Sequence, residues 1–207
     1  MKKIIFSLVA IALFSIGSMN AQQTNEGEMH VDVYIGGPNL LKSTLKTTYA
    51  NSSASEKVTF GGVPNIGLRF GYLVSDKASV GVDINYSNTI ITYLDEGIDP
   101  ETNLSKDYET TLSVPRLKAM VRFELHFGNS DNFDLYWPIA AGLNKTSYKF
   151  TSTDPNFKDD TDISLSIPVA FRTGIGGRYF FTDNIGANVE IGIGGGALLE
   201  FGLAMKF

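Results

Sequence analysis

The 207-residue chain has no cysteine. Disulfides, thiol catalysis, thiolate-bound metal and a lipid-modified N-terminal cysteine are therefore excluded. A membrane-spanning helix is missing too: the apolar run Ile4 to Ile16 covers 13 residues, against the roughly 20 that a bilayer requires. With 19% charged and 43% hydrophobic residues and a mean hydropathy near zero, the chain reads neither as a helical membrane protein nor as a disordered tail. Basic residues are outnumbered, 17 against 22, for a formal net charge of −5. An acidic chain argues against nucleic acid as a partner.

Glycine, at 21 residues, and aromatics, at 12%, are what the chain has in quantity. That mixture favours strands and tight turns. At the N-terminus, Lys2 and Lys3 precede the run Ile4 to Ile16, then Gly17, Ser18 and a small-residue site ending at Ala21. This is the three-part pattern of a secretory signal peptide. Residues 1–21 are expected to be removed, leaving 22–207 as one domain. Loss of the two lysines takes the formal charge from −5 to −7.

From Met29 onward the side-chain period is two. Val31, Val33 and Ile35 alternate with His30, Asp32 and Tyr34. Ile66 to Tyr72, Val80 to Tyr86, Leu117 to Phe127, Leu135 to Asn144, Ile167 to Tyr179 and Ile185 to Gly194 repeat the pattern. In the last run Leu199, Phe201, Leu203, Met205 and Phe207 oppose Glu200, Gly202, Ala204 and Lys206. Short connections (Ser75 to Lys77, Gly128 to Asn132, Thr182 to Asn184) alternate with longer polar ones (Pro38 to about Val58, Asp95 to about Glu109, Thr151 to Asp162). Only the Gly194–Gly196 link is shorter than this alternation predicts. Tight turns at one end and loops at the other are the asymmetry of an outer-membrane barrel. The predicted fold is all-β: an eight-stranded antiparallel up-and-down transmembrane β-barrel.

Alternation alone also fits a soluble barrel, whose apolar face points inward. Three features favour the inverted order. All five arginines, Arg69, Arg116, Arg122, Arg172 and Arg178, lie on the polar face with Asp32, Asp83, Glu124, Glu190 and Glu200; arginine with carboxylate suits a buried bidentate network. Glycines recur on that face, as gaps in a crowded lumen require. Tyr72, Phe127, Phe133, Tyr179, Phe181 and Phe207 collect outward at the short-turn end, as in an interfacial girdle.

With these strands placed, the mature region resembles the small eight-stranded outer-membrane barrels of the OmpA/OmpX type. The most specific feature is the C-terminal run Leu203-Ala204-Met205-Lys206-Phe207, with alternate hydrophobic residues and a terminal aromatic. The resemblance implies that Leu203, Met205 and Phe207 form a signal read by the barrel-assembly machinery, with periplasmic chaperones and outer-membrane lipid as further partners. Ile35 to Leu40 departs from the better-known members and carries no assignable function.

An eight-stranded lumen is just wide enough to be filled by side chains. The expected network is Asp32, Arg69, Asp83, Arg122, Glu124, Arg172, Arg178, Glu190 and Glu200, with Arg116, Lys118, Lys206 and Asp134 also inward. Near mid-depth Asp32, Arg69, Asp83, Arg122 and Glu190 are expected to form cross-strand pairs. Such a network serves as a structural plug, or as a gated ion path or proton relay, and the plug is favoured because an unpaired buried charge is costly. Catalysis is not expected: of the two histidines, His30 and His126, the second is followed too closely by Ser130 for an acyl-transfer pair. The acidic segments (Asp95, Glu96, Asp99, Glu101, Asp107, Glu109 and Asp154, Asp159, Asp160, Asp162) match no calcium loop. The glycine runs lie within strands and precede no helix, so no phosphate loop and no cofactor are implied.

The expected role is a structural or surface-interaction barrel in the outer membrane, its external partner unnamed. A narrow passive channel, a lipid-modifying barrel enzyme and a soluble secreted binding barrel are the alternatives. Intact-mass measurement of the protein from outer membranes is expected to give a chain beginning at Gln22; a mass that retains Lys2 and Lys3 contradicts the leader assignment.

Overall fold

The computed structural model describes residues 25–39, 43, 58–127, 132–157, 161–163 and 168–207. The leader ending at Ala21, Ser130 and most of the Pro38–Val58 connection lie outside the described residues. Among the described residues there are eleven strands: β1 (Met29–Asn39), β2 (Val58–Gly61), β3 (Asn65–Ser75), β4 (Ala78–Ile98), β5 (Ser105–His126), β6 (Phe133–Thr146), β7 (Tyr148–Ser152), β8 (Thr161–Ile163), β9 (Val169–Phe180), β10 (Ile185–Gly194) and β11 (Ala197–Lys206). Eight of them form an antiparallel ring in the order β1, β3, β4, β5, β6, β9, β10, β11. The ring closes where β11 pairs β1 from His30↔Lys206 to Asn39↔Ala197. Each of the eight has at least ten residues, enough for a tilted strand to cross a bilayer.

The β10–β11 link is tight because Gly194, Gly195 and Gly196 all have positive φ (77°, 67° and 144°). No other residue type takes three such conformations in succession without strain.

Two of the expected loops are in fact built of strands. The acidic segment Asp95 to Glu109 is a paired ribbon: Leu94↔Glu109, Asp95↔Tyr108, Glu96↔Asp107, Gly97↔Lys106 and Ile98↔Ser105 continue the β4–β5 ladder. Only residues 99–104 turn. Backbone pairing is indifferent to side-chain charge, and Tyr108 and Thr110 keep the period of two by burying beside the ladder. Asp99 caps the turn, accepting from the Glu101 backbone N–H at 3.0 Å and the Lys106 ammonium at 3.4 Å. Those donors hold its carboxyl below the usual range. Likewise Thr151 to Asp162 contains the end of β7 and the start of β8. β2 and β7 continue the lines of β3 and β6 along the tall ribbon, pairing Val58–Gly61 with Ile90–Tyr93 and Lys149–Ser152 with Thr110–Ser113. The last expected boundary also shifts: β9 begins at Val169, and Ile167 lies outside the described residues.

The two faces of the wall are inverted relative to a water-soluble protein. Val121 is 70% exposed on the outside while Arg172 is fully buried inside. Leu68, Phe70, Val82, Ile84, Phe123, Leu143, Phe171, Ile191 and Leu203 share the outer face. Tyr72, Phe127, Tyr179, Phe181 and Phe207 are exposed at the turn end, and Tyr179 meets Phe181 edge-on at 5.6 Å. On this face the Trp137 indole N–H donates to the Thr173 hydroxyl at 2.9 Å, so this donor is not left bare to hydrocarbon. Among the described residues no helix is long and apolar enough to cross a membrane; the crossing is made by strands.

Replacing Val121 by arginine is expected to cost about 2–4 kcal/mol in urea unfolding from lipid vesicles, the depth-dependent penalty for a charge on the lipid face. A water-facing position would show almost no change.

Candidate functional site: the charged lumen

Every second side chain of the ring points inward, so eight strands deliver their polar faces to one narrow space. The structure buries all nine of Asp32, Arg69, Asp83, Arg122, Glu124, Arg172, Arg178, Glu190 and Glu200 at 2% exposure or less. Asp134 joins them. Two hubs organise the set. The Arg178 guanidinium donates to three carboxylates: Asp32 (2.8–3.2 Å), Glu124 (3.1 and 3.2 Å) and Asp134 (3.1 Å). Conversely, Glu190 is held by three arginines: Arg172 at 2.5 Å, Arg69 at 3.5 Å, and Arg122. Arg69 also reaches Asp83 at 3.1 Å and Glu200, and Arg122 reaches Glu124 at 2.6 Å and Asp83 at 3.7 Å. Arg172 closes the upper side, donating to the backbone carbonyls of Gly194 (3.1 Å) and Ala197 (2.8 Å) and pairing with Glu200 at 3.0 Å.

The mid-depth pairing differs from the expected cross-strand set in one respect. Asp32 stands directly opposite Arg69 in the β1–β3 register, yet its carboxylate pairs with Arg178 across the lumen. Arg69 leans instead toward Asp83 and the Glu190–Glu200 side.

Two tyrosines that the period-two reading did not single out complete the network. Tyr34 donates to Asp83 at 2.6 Å and lies under the Arg69 guanidinium at 3.9 Å. Tyr136 reaches Glu190 at 3.4 Å and lies under Arg178 at 4.1 Å. Each ring covers a glycine of the neighbouring strand, Gly67 and Gly176, where a Cβ would overlap the ring atoms. The arrangement is a repeat. Asp32-Val33-Tyr34 faces Gly67-Leu68-Arg69, and Asp134-Leu135-Tyr136 faces Gly176-Gly177-Arg178, four strands further round the ring. The signal was present as Asp-x-Tyr against Gly-x-Arg, but register is needed to see it.

At the turn end His30 lies 3.3 Å from Glu124. His126 contacts Asp134 through Nδ1 at 2.7 Å and the Ser79 hydroxyl through Nε2 at 3.0 Å. Aspartate, histidine and serine thus stand in the order of a hydrolase triad. The Ser79 hydroxyl also donates to Glu124 at 3.3 Å, and Ser79 is 1% exposed, opposite buried Leu73 in the β3–β4 register. A buried serine hydroxyl lying between an imidazole and a carboxylate is a link in a hydrogen-bond chain. Among the described residues no three metal-ligating side chains converge on a common point.

Of the three C-terminal residues, Leu203 and Phe207 are exposed on the outer face and Met205 is half-buried. The Phe207 and Met29 backbones exchange hydrogen bonds at 2.9 and 3.0 Å, so the end of the chain is stitched to its first strand.

A closed ring with an apolar exterior and a charged interior defines a transmembrane β-barrel. Residues 6–199 match the outer membrane protein beta-barrel domain family, and the chain belongs to it. Three solved structures are similar: the N-terminal β-barrel domain of Pseudomonas aeruginosa OprF (14% identity, 89% of this chain and 100% of that one, TM-score 0.43), the outer membrane protein OprG from P. aeruginosa (12%, 91% and 99%, 0.48) and E. coli outer membrane protein W (15%, 88% and 99%, 0.40). No curated protein gives a significant match.

Arg178→Met is expected to destabilise the barrel by about 3–5 kcal/mol, because three buried carboxylates lose their common cation. Equilibrium urea unfolding in vesicles measures this; a cost under about 1 kcal/mol, the value of an exposed ion pair, contradicts a desolvated network.

Proposed function

We propose that this chain serves as a structural or surface-interaction barrel of the outer membrane, turns toward the periplasm and loops outside. The observation that carries this reading is the mutual pairing of the charges below Lys118 in the lumen: Arg178 takes three carboxylates and Glu190 takes three arginines. Ions moving through such a lumen must break paired charges, which the low-dielectric wall makes expensive. The features free to meet a surface partner are outside it. The β4–β5 ribbon extends about ten residues past the span that a bilayer needs, on the order of 30 Å at about 3.4 Å per residue. It carries Asp95, Glu96, Asp99, Glu101, Asp107 and Glu109 toward the exterior.

Residues 1–21 act in this reading as the cleaved leader. Leu203, Met205 and Phe207 form the signal for the barrel-assembly machinery, to which periplasmic chaperones deliver the chain. No enzymatic role is assigned.

Planar-bilayer recording separates this reading from a narrow channel. The purified folded barrel is expected to give no steady conductance. Long-lived unitary openings in the unmodified protein, abolished on unfolding, would establish the channel instead.

A further inference from the structure

We propose that the loop-side half of the lumen is an anion site built on Lys118, taking a phosphate-bearing group. Lys118 points inward from β5 and is 8% exposed, yet its ammonium makes no hydrogen bond or ion pair among the described residues. The buried arginines differ: Arg69, Arg122, Arg172 and Arg178 each hold a carboxylate within ion-pair distance. The charged groups that Lys118 feels are Arg116 and Arg172, of its own sign, and the carboxylates Glu200 and Asp83. Both carboxylates are already committed to arginines.

The register neighbours of Lys118 on the two adjacent strands suit an anion. Its Cα neighbours across the two adjacent ladders are Asn85 on β4 and Asn144 on β6; those of Arg116, one inward step higher, are Ser87 and Thr146. This patch of six carries two cations, two amides and two hydroxyls, and no carboxylate; within it the Thr146 hydroxyl donates to the Asn144 amide oxygen at 3.4 Å. Asn85 is anchored by donating to Asp83 at 3.3 Å. Below it the lumen is the reverse: Asp32, Asp83, Glu124, Asp134, Glu190 and Glu200 outnumber the four buried arginines. A largely buried lysine whose nearby carboxylates are shared with arginines is poorly compensated. A tetrahedral phosphate, with several acceptor oxygens, fits a cluster of cationic and neutral donors. The site lies at the end that the proposed function places outside, where free phosphate and the phosphoryl groups of outer-leaflet lipid both occur.

The test is amide NMR of the full mature chain in phosphate-free neutral detergent, titrated with inorganic phosphate. A second series uses bicelles with and without lipid A. Saturable shifts at Lys118, Arg116, Asn144 and Thr146 on adding phosphate alone assign a free anion; shifts appearing only with lipid A assign a headgroup phosphate. Calorimetry is expected to show Lys118→Met binding weakened by about tenfold or more, with Lys118→Arg close to the parent and the exposed Lys145→Met unchanged, as loss of one charge-assisted contact requires. Shifts confined to other residues, no saturation in either series, or equal affinity of Lys118→Met and the parent would overturn the site. The NMR readout uses the unmodified chain, so it decides the question even if Lys118→Met does not fold.

Discussion

Hydrocarbon offers nothing to a backbone N–H or C=O, so a sheet that enters a bilayer must satisfy every strand edge within itself. Here that constraint is met by the β1–β11 seam, where nine residue pairs from His30↔Lys206 to Asn39↔Ala197 leave neither edge open, and the Met29–Phe207 backbone bonds extend it to the last residue. Closure at eight strands then sets the width of the lumen. A lumen that narrow has room for side chains and little water, and from this follow both its chemistry and its rigidity. The arginines and acids are confined in a common space with few partners other than each other. The result is a pair of hubs, Arg178 and Glu190, rather than a set of independent pairs.

Such a lattice is an unusual way to fill a core. Buried ion pairs give less stability than apolar packing of the same volume, and breaking one side is far more damaging than never having it. Its return is specificity. Each guanidinium offers a planar fork to carboxylates at fixed heights on several strands, so a strand slipped by one residue would turn its charges toward lipid. The two tyrosines add to this. Tyr34 and Tyr136 each span from a cation above the ring to a glycine beneath it, tying β1 to β3 and β6 to β9 at equivalent places. The repeated Asp-x-Tyr and Gly-x-Arg pairing makes the two halves of the barrel alike in their registration.

The strands were legible in the sequence because lipid and lumen favour opposite residues at successive steps, as in Leu117 to Phe127, where apolar and polar positions alternate except at Met120. The inversion of the faces was legible from the arginines, which had no reason to concentrate on a soluble surface. Two things were not. The ribbon beyond Tyr93 was hidden because a dense run of carboxylates resembles a solvated loop, although its backbone pairs as regularly as the strands below. The partners within the lumen were hidden because they are fixed by closure: Asp32 and Arg178 are 146 residues apart and meet only across the finished ring. Ser79, Tyr34 and Tyr136 carry no distinguishing local pattern, and their roles emerge only when register places them against His126, Arg69 and Arg178.

The central claim is that the apolar face meets lipid and the charged face is sealed inside. The absence of native cysteine makes it open to direct test with nitroxide labels at single introduced cysteines along β5. In proteoliposomes, labels at Ala119, Val121 and Phe123 are expected to collide strongly with dissolved oxygen and weakly with a water-soluble nickel chelate, while a label at Met120 is shielded from oxygen. If the chelate reaches Val121 freely, that face meets water and the inverted barrel is contradicted.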